Sequence, residues 1–570
     1  MTGTRTAVLV VACLLLLAPR GALAQDAGSP GPGSINYGGV DDPDTEPLFP
    51  DFSPLPDRWR ITPPPYEKNV QGHWWDPYNQ NVLKGDFPIL GQDIFFKLTA
   101  ASKTLVEGRR VPIASGPSTA RPGEFKFFGE PDQVEVDQKF AVRAELIKGN
   151  TAFRPFDWQI LLEGVGDLNY LGVWERGVVA PDVRDGESRF RSDIRLEQAF
   201  AEIHLADVSA NYDFISTKIG RQPFNSDFRS LIFQDINQGV RLFGSANSAR
   251  YQWNVIYFYQ AEKDTVSGLN TFGLRDQQVA IANLYVQDFF FLGWTNQFSF
   301  HYNFDDGKKG GYVYDRLGFL VRPTPIGDPV PHDIEAYYLG WTSEGHIGRI
   351  NVSHAFYQAL GTDDFNNIAS RKTDINAQLG FLELSIDDDW LRYQVSTYIT
   401  SGDGNARDSQ ATGFDSILDN PKVVGGEYTW WNRQAPRISD RGGAALVQRL
   451  SLVPDLRSNK IQGQSNFVNP GIFIANVGVS AEMTPKLRLI GNANYIRFME
   501  TDVLETLLKQ GSISNDVGID LSLGIEYRPW LNNNVIVKGF GAILQPLDGF
   551  SDIYTGQTLW QMGVEMLLVF

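Results

Sequence analysis

Ser353 and His354 are the first candidates for chemistry in this chain, a hydroxyl beside a base. They are neighbours in an alternating stretch. Adjacent strand residues point to opposite faces, so the two cannot form a nucleophile–base pair with each other. The six histidines show no metal-ligand spacing. Asp305-Asp306, Asp363-Asp364, Asp387-Asp388-Asp389, and Asp403 with Asp408 offer oxygens that suit calcium. No helix–loop–helix frame surrounds them, and solvated loops account for them. The one cysteine, Cys13, lies in an apolar leader, so no thiolate is left for catalysis, metal binding or a disulfide in the rest of the chain. Neither metal, cofactor nor catalytic activity is expected.

The ionisable residues that remain are spread along alternating stretches. Arg143, Arg241, Arg349, Arg392 and Arg488 lead them, with Arg528 and Lys538 and the acids Glu145, Asp157, Glu202, Asp520, Glu526 and Glu565. Each sits on the polar side of its stretch. Burying so many charges in a dry core would be prohibitive. A watery interior accommodates them, as pore-lining charges or as pairs that brace a wall.

The stretches themselves have period two. In 250–261, Tyr251, Trp253, Val255, Tyr257 and Tyr259 oppose Arg250, Gln252, Asn254 and Gln260, while Ile256 and Phe258 blur the polar side. Phe298, Phe300, Tyr302 and Phe304 oppose Gln297, Ser299, His301 and Asn303. Such alternation over about ten residues marks a strand wet on one side, and that length matches a tilted transmembrane strand. The last stretch puts Trp560, Met562, Val564, Met566, Leu568 and Phe570 on one face. After the leader no apolar run is long enough for a transmembrane helix, and mean hydropathy is −0.23. The lipid face of such a protein must lie in the alternation.

Eighteen strands are predicted, from 92–105 to 559–570, with sixteen as the competing number. The gaps alternate. Ser245 to Ala249, Asp288 to Gly293, Ser343 to His346, Asp387 to Trp390, Glu482 to Lys486 and Pro529 to Asn534 are short; 106–138, 166–194, 304–334, 401–470 and 499–517 are long. The fold class expected is all-β, a closed antiparallel transmembrane β-barrel with short turns on the periplasmic side. The stretch 401–470 is too long for an ordinary loop. It is left open as an inward constriction or an outer cap.

Residues 1–24 read as a secretory signal peptide: Arg5, the apolar run Ala7 to Ala18, then Ala22-Leu23-Ala24. Its removal takes the formal charge from −17 to −19 by loss of Arg5 and Arg20. An acidic chain of this kind is a poor nucleic-acid partner. Residues 25–91 are rich in Pro and Gly and read as an irregular periplasmic segment, where Trp74-Trp75 either packs locally or meets a periplasmic partner. Residues 92–570 form the barrel.

Two resemblances add to this. The ending at Phe570 resembles the C-terminal signal that bacterial outer-membrane barrels present to their insertion machinery. Ile219-Gly220-Arg221-Gln222-Pro223-Phe224, Asp227-Phe228-Arg229 and Gly239-Val240-Arg241-Leu242-Phe243-Gly244 together resemble a strand–loop–strand of alginate-export-type outer-membrane channels. That likeness covers about 25 residues. It implies an eighteen-stranded barrel with lumenal arginines passing an anionic polysaccharide. The expectation is therefore an outer-membrane, porin-like channel for small polar or anionic solutes or an anionic polymer, in contact with lipid and lipopolysaccharide. The alternative is a scaffold barrel sheathing a partner, such as an electron-carrying cytochrome or secretion machinery.

Overall fold

The structure is a computed structural model. It describes residues 80–112, 129–149, 155–209, 211, 213–436, 450–454, 456–554 and 556–570. The leader with Cys13 and the Trp74-Trp75 cluster lie outside these residues.

Eighteen antiparallel strands form one closed sheet. In chain order they are β1 (Ile94–Arg110), β2 (Gly129–Lys148), β3 (Trp158–Glu175), β4 (Ser188–Asp207), β5 (Phe214–Asn225) and β6 (Gln234–Ala246). There follow β7 (Tyr251–Lys263), β8 (Asn270–Val286), β9 (Thr295–Asp306), β10 (Asp333–Ile347), β11 (Ile350–Asn366) and β12 (Arg371–Asp388). The last are β13 (Leu391–Thr400), β14 (Ile472–Thr484), β15 (Leu487–Phe498), β16 (Asp516–Tyr527), β17 (Val535–Pro546) and β18 (Leu559–Val569). Each pairs with its sequence neighbour, and β1 pairs with β18 from Ala101↔Val569 to Arg109↔Gln561. That last pairing closes the barrel. A strand edge in hydrocarbon would leave backbone groups unsatisfied, and closure removes it.

Period two then assigns each side chain. Phe140, Val142, Leu162, Val240, Tyr257, Leu339, Val395, Leu523 and Val564 stand exposed on the outside. Glu107, Asp167, His301, Asn494, Asp520 and Gln561 are buried on the inside. Apolar outside and polar inside is the reverse of a soluble barrel and suits a bilayer.

The strands run further than expected at the long-loop end. β2 starts at Gly129 instead of 139, β4 at Ser188 instead of 195, and β8 at Asn270 instead of 277. Outward residues such as Phe190, Ile194, Phe272 and Leu274 carry the alternation into these extensions, and the backbone ladder continues with it. One turn also moves. Ser343 to His346 lies within β10, and the reversal is at Gly348-Arg349. Gly345 is a close-approach glycine, since a Cβ there would lie 2.9 Å from the Cα of Trp294; Gly348, at φ +60°, makes the turn.

The sheet also takes in a strand from the segment read as 25–91. Lys84–Leu90 is a strand paired with β1 from Lys84↔Lys97 to Leu90↔Ile94. It covers the stretch of β1 that lies beyond the C-terminal end of β18. There the Phe570 N–H donates to the Ala100 carbonyl at 2.8 Å.

The facing assignment predicts the cost of a buried charge in lipid. Val240→Arg, on the outer face of β6, should lose about 2–4 kcal/mol of barrel stability if its position is near the bilayer midplane. Urea titration in lipid vesicles measures this, and an unchanged midpoint would mean the face is wrongly assigned.

Candidate functional site: a lumen divided by two inward segments

Ser226–Phe233, the connection from β5 to β6, folds into the lumen. The Asp227 carboxylate holds its shape by accepting the N–H groups of Arg229 at 2.8 Å, Leu231 at 3.0 Å and Ile232 at 3.3 Å. The Tyr357 hydroxyl of β11 donates to the same carboxylate at 3.1 Å. Arg229 then reaches the far wall. Its guanidinium pairs with Glu344 of β10 at 2.8 Å and Glu383 of β12 at 3.0 Å, and donates to the Ser353 hydroxyl at 3.2 Å.

The long stretch 401–470 also turns inward over its described residues. It lies along the first segment in a short ladder. Gln234 N–H donates to the Leu418 carbonyl at 2.8 Å, and the N–H groups of Leu418, Asn420 and Lys422 donate to Ile232, Ser230 and Arg229, each at 3.0 Å. The two segments thus form one body. Its own centre is ionic: Asp415 pairs with Arg457 at 2.6 Å and Lys460 at 2.9 Å, all three buried. Burial works to raise the Asp415 carboxyl, but the two cations overcome it and hold it below the usual carboxylate range.

A short helix, Trp430–Gln434, carries this body to the opposite wall. Its Trp431 N–H donates to the Asp520 carboxylate of β16 at 2.8 Å. Arg433 pairs with Glu107 of β1 at 2.8 Å and lies over the Phe540 ring of β17 at 3.8 Å. Gln434 donates to Glu107 and to Gln561 of β18, both at 2.7 Å. Glu427 pairs with Lys538 at 2.7 Å, and Tyr428 donates to Glu526 at 2.7 Å.

The inner wall differs accordingly from side to side. Under the inward body it is largely apolar: Ile256, Phe258, Val279, Ile281, Leu379, Tyr398, Ile474 and Ile496 join Phe233, Phe414, Leu418, Trp431 and Phe467 in one core. Phe258 stacks on Phe233 at 5.4 Å. The Ile256 and Phe258 side chains that blur the polar face are therefore wall residues of this core. On β1–β5 the inner face is charged. Lys139 pairs with Asp137 at 2.8 Å and Asp167 at 3.4 Å, Lys97 with Glu145 at 3.4 Å, Arg195 with Asp193 at 3.0 Å and Lys218 with Glu202 at 2.7 Å.

The five arginines singled out from sequence are not gathered at one point. Arg143 is on the charged wall, paired with Glu163 at 2.7 Å. Arg241 donates to Asn254 at 2.8 Å and lies over the Phe243 ring at 4.3 Å. Arg392 and Arg488 sit at the short-turn rim, paired with Asp387 at 2.5 Å and Glu482 at 3.3 Å. Arg349 is not on a strand face at all; it is an exposed turn residue 3.7 Å from Asp388. Its placement follows from the displaced turn at Gly348. Ser353 and His354 do face opposite ways, the first bound to Arg229, the second against Trp341 on the outside at 4.5 Å between ring centroids. Of the aspartates considered for calcium, Asp305 is engaged by Arg275 at 2.5 Å and Asp363 accepts from Asn366 at 3.1 Å.

The residues that build the inward body, Arg229, Asp415, Arg433 and Arg457, were not candidates in the sequence. Arg229 lay within the motif that resembles a channel family, which was a signal. For the others only the unusual length of 401–470 with its Trp430-Trp431 pair offered one.

No protein-family model matches the chain, and no curated protein matches its sequence. Solved structures align with most of its length at low identity. Pseudomonas aeruginosa OccK9 (OpdG) aligns at TM-score 0.47 and 10% identity, over 83% of this chain and 98% of that one. Pseudomonas aeruginosa OprD aligns at 0.43 and 10%, over 83% and 95%. A BenF-like porin from Pseudomonas fluorescens Pf-5 aligns at 0.44 and 9%, over 83% and 98%. None of the three carries the alginate-export resemblance further.

Removing one member of a buried ion pair leaves the other charge uncompensated, at about 3–5 kcal/mol. Asp415→Asn should therefore loosen the inward body while the barrel persists. Hydrogen exchange across 410–434 should rise sharply, with the gel shift of the folded barrel on heating retained. Unchanged exchange would show that the Asp415 pairs do not hold it.

The same pairs set a pH response. The folded Asp415 carboxyl sits below its unfolded value, so its stabilisation is present above the ordinary aspartate range near pH 3.9 and fades as pH falls through the depressed value. Protection of 410–434 should thus survive from pH 7 to 5. Loss of protection already at pH 5 would contradict it.

Proposed function

We propose that this protein is an outer-membrane porin-like channel for small polar or anionic solutes, and that the solute path follows the charged inner face of β1–β5. The single observation behind this is the division of the lumen. One side is packed with the apolar core of the inward body, and the other presents paired and half-exposed charges such as Lys97, Lys103, Lys139 and Arg143. A low-dielectric wall focuses the field of such charges along a narrow aqueous route. Arg143 faces that route. Arg392 and Arg488 act at its periplasmic exit, Arg241 braces the wall through Asn254, and Arg349 has no part in it.

The location follows from the same reading. A cleaved leader at 1–24 carries the chain across the inner membrane, the strand ending at Phe570 is presented to the insertion machinery, and the apolar belt meets lipid and lipopolysaccharide. The strand Lys84–Leu90 lies at the periplasmic rim, paired with the lower end of β1. An anionic polymer or a sheathed partner finds no support: the inward body spans the lumen from Glu344 and Glu383 to Glu107 and Gln561.

Planar-bilayer recording tests the proposal. The protein should conduct. Replacing Lys139 and Arg143 together with glutamate should move the reversal potential in a salt gradient toward cation preference, and the shift should shrink at 1 M salt, where screening falls to about 3 Å. A silent barrel, or unchanged ion preference with an intact barrel, contradicts it.

A further inference from the structure

Three neighbouring reversals at the short-turn end take two residues each: Gly348-Arg349, Asp389-Trp390 and Pro485-Lys486. The connection from β8 to β9 is longer and carries Phe289-Phe290-Phe291-Leu292. These four side chains are 49%, 55%, 57% and 84% exposed. The turn is shaped to present them. Asp288 and Gly293 take φ of +52° and +80°, and the Gly293 N–H donates to the Asp288 carboxylate at 2.8 Å. Phe291 meets Trp294 at 6.1 Å between ring centroids, and Trp294 is itself buried against Gly345.

The turn does not hang below the barrel. Phe289 packs edge-on against Phe298 at 6.0 Å, and Phe298 is on the outer face of β9. Asn296 shares that outer face by parity, yet it is fully buried, its side-chain carbonyl accepting from the Trp341 indole at 2.9 Å. The turn therefore folds back against the outside of the wall, where the exposed faces of Phe298, Leu339 and Trp341 continue it.

We propose that 288–293 is a lateral membrane anchor whose Phe-Phe-Phe-Leu tip inserts into the acyl–headgroup boundary of the leaflet at the short-turn end. Its occupant is lipid, because the tip is continuous with the lipid-facing band. A second copy of the chain is a poorer fit. With about half of each ring exposed, of roughly 150–250 Å² apiece, the three phenylalanines and Leu292 together offer roughly 400–500 Å², short of the roughly 800 Å² per partner that a stable interface buries. Aromatic rings in this boundary fix the depth and tilt of a barrel.

Spin labelling tests the anchor, because Cys13 is the chain's one cysteine. In the full chain carrying Cys13→Ala, Leu292→Cys is labelled and studied in phosphatidylcholine vesicles by power saturation. Val564→Cys serves as the lipid reference and Asn533→Cys, in the β16–β17 turn, as the water reference. The label at 292 should be several-fold more accessible to oxygen than to a nickel chelate, as at 564. Nickel access like that at 533 overturns the proposal, and so does low access to both, which would mean protein covers the tip. If Leu292→Cys does not assemble, Phe290→Cys gives the same reading.

Discussion

The backbone hydrogen bonds between β1 and β18 are the constraint on which the rest of this structure depends. In hydrocarbon an open sheet edge costs several kcal/mol for each unpaired group. The seam satisfies both edges from Ala101 to Arg109, and the strand Lys84–Leu90 continues it where β18 has ended. Once the sheet is closed, every strand residue must face either lipid or lumen. The outer band can then be apolar throughout, and ionisable groups are confined to the interior. The strand ahead of the barrel has a clear physical task in this setting, since without it Ile94 to Leu98 would present an edge at the rim.

Closure also creates a problem, because an eighteen-stranded wall encloses more space than its own side chains fill. This chain answers with Ser226–Phe233 and the described residues of 401–470. They pack an apolar core against β7–β15 and pin its flanks with ion pairs, Arg229 on one wall and Arg433 on the other. The pinning is directional. Pairs such as Asp415 with Arg457 are buried, and separating them exposes a charge to a medium that cannot solvate it, so the body favours one seat. What remains beside it is the charged face of β1–β5.

The eighteen strands were legible because lipid on one side and polar surface on the other write alternation into nearly every one of them. The outer extensions, as at Gly129 and Asn270, were read short, since charged and small residues such as Glu130, Asp132, Gly273 and Asp276 interrupt the few apolar positions there, Phe272 and Leu274 among them. The displaced turn at Gly348 shows a different limit. Gly345 and Gly348 look alike in sequence, and only the packing of Trp294 tells a close approach from a reversal. The inward body was nearly invisible for a third reason. Its anchors on the wall are separated by more than a hundred residues, as Arg229 is from Glu383, and no local pattern announces such a contact. Ile256 and Phe258, apolar residues on an otherwise polar face, were its trace on the wall.

Cysteine accessibility under current recording tests the divided lumen most directly. With Cys13→Ala as background, Arg143→Cys and Ala377→Cys place a thiol on the charged wall and beneath the inward body, respectively. A charged methanethiosulfonate reagent should react at 143 and reduce the current at once, while 377 stays silent. Equal block at both positions, or block at 377 alone, would show that solutes do not pass along β1–β5.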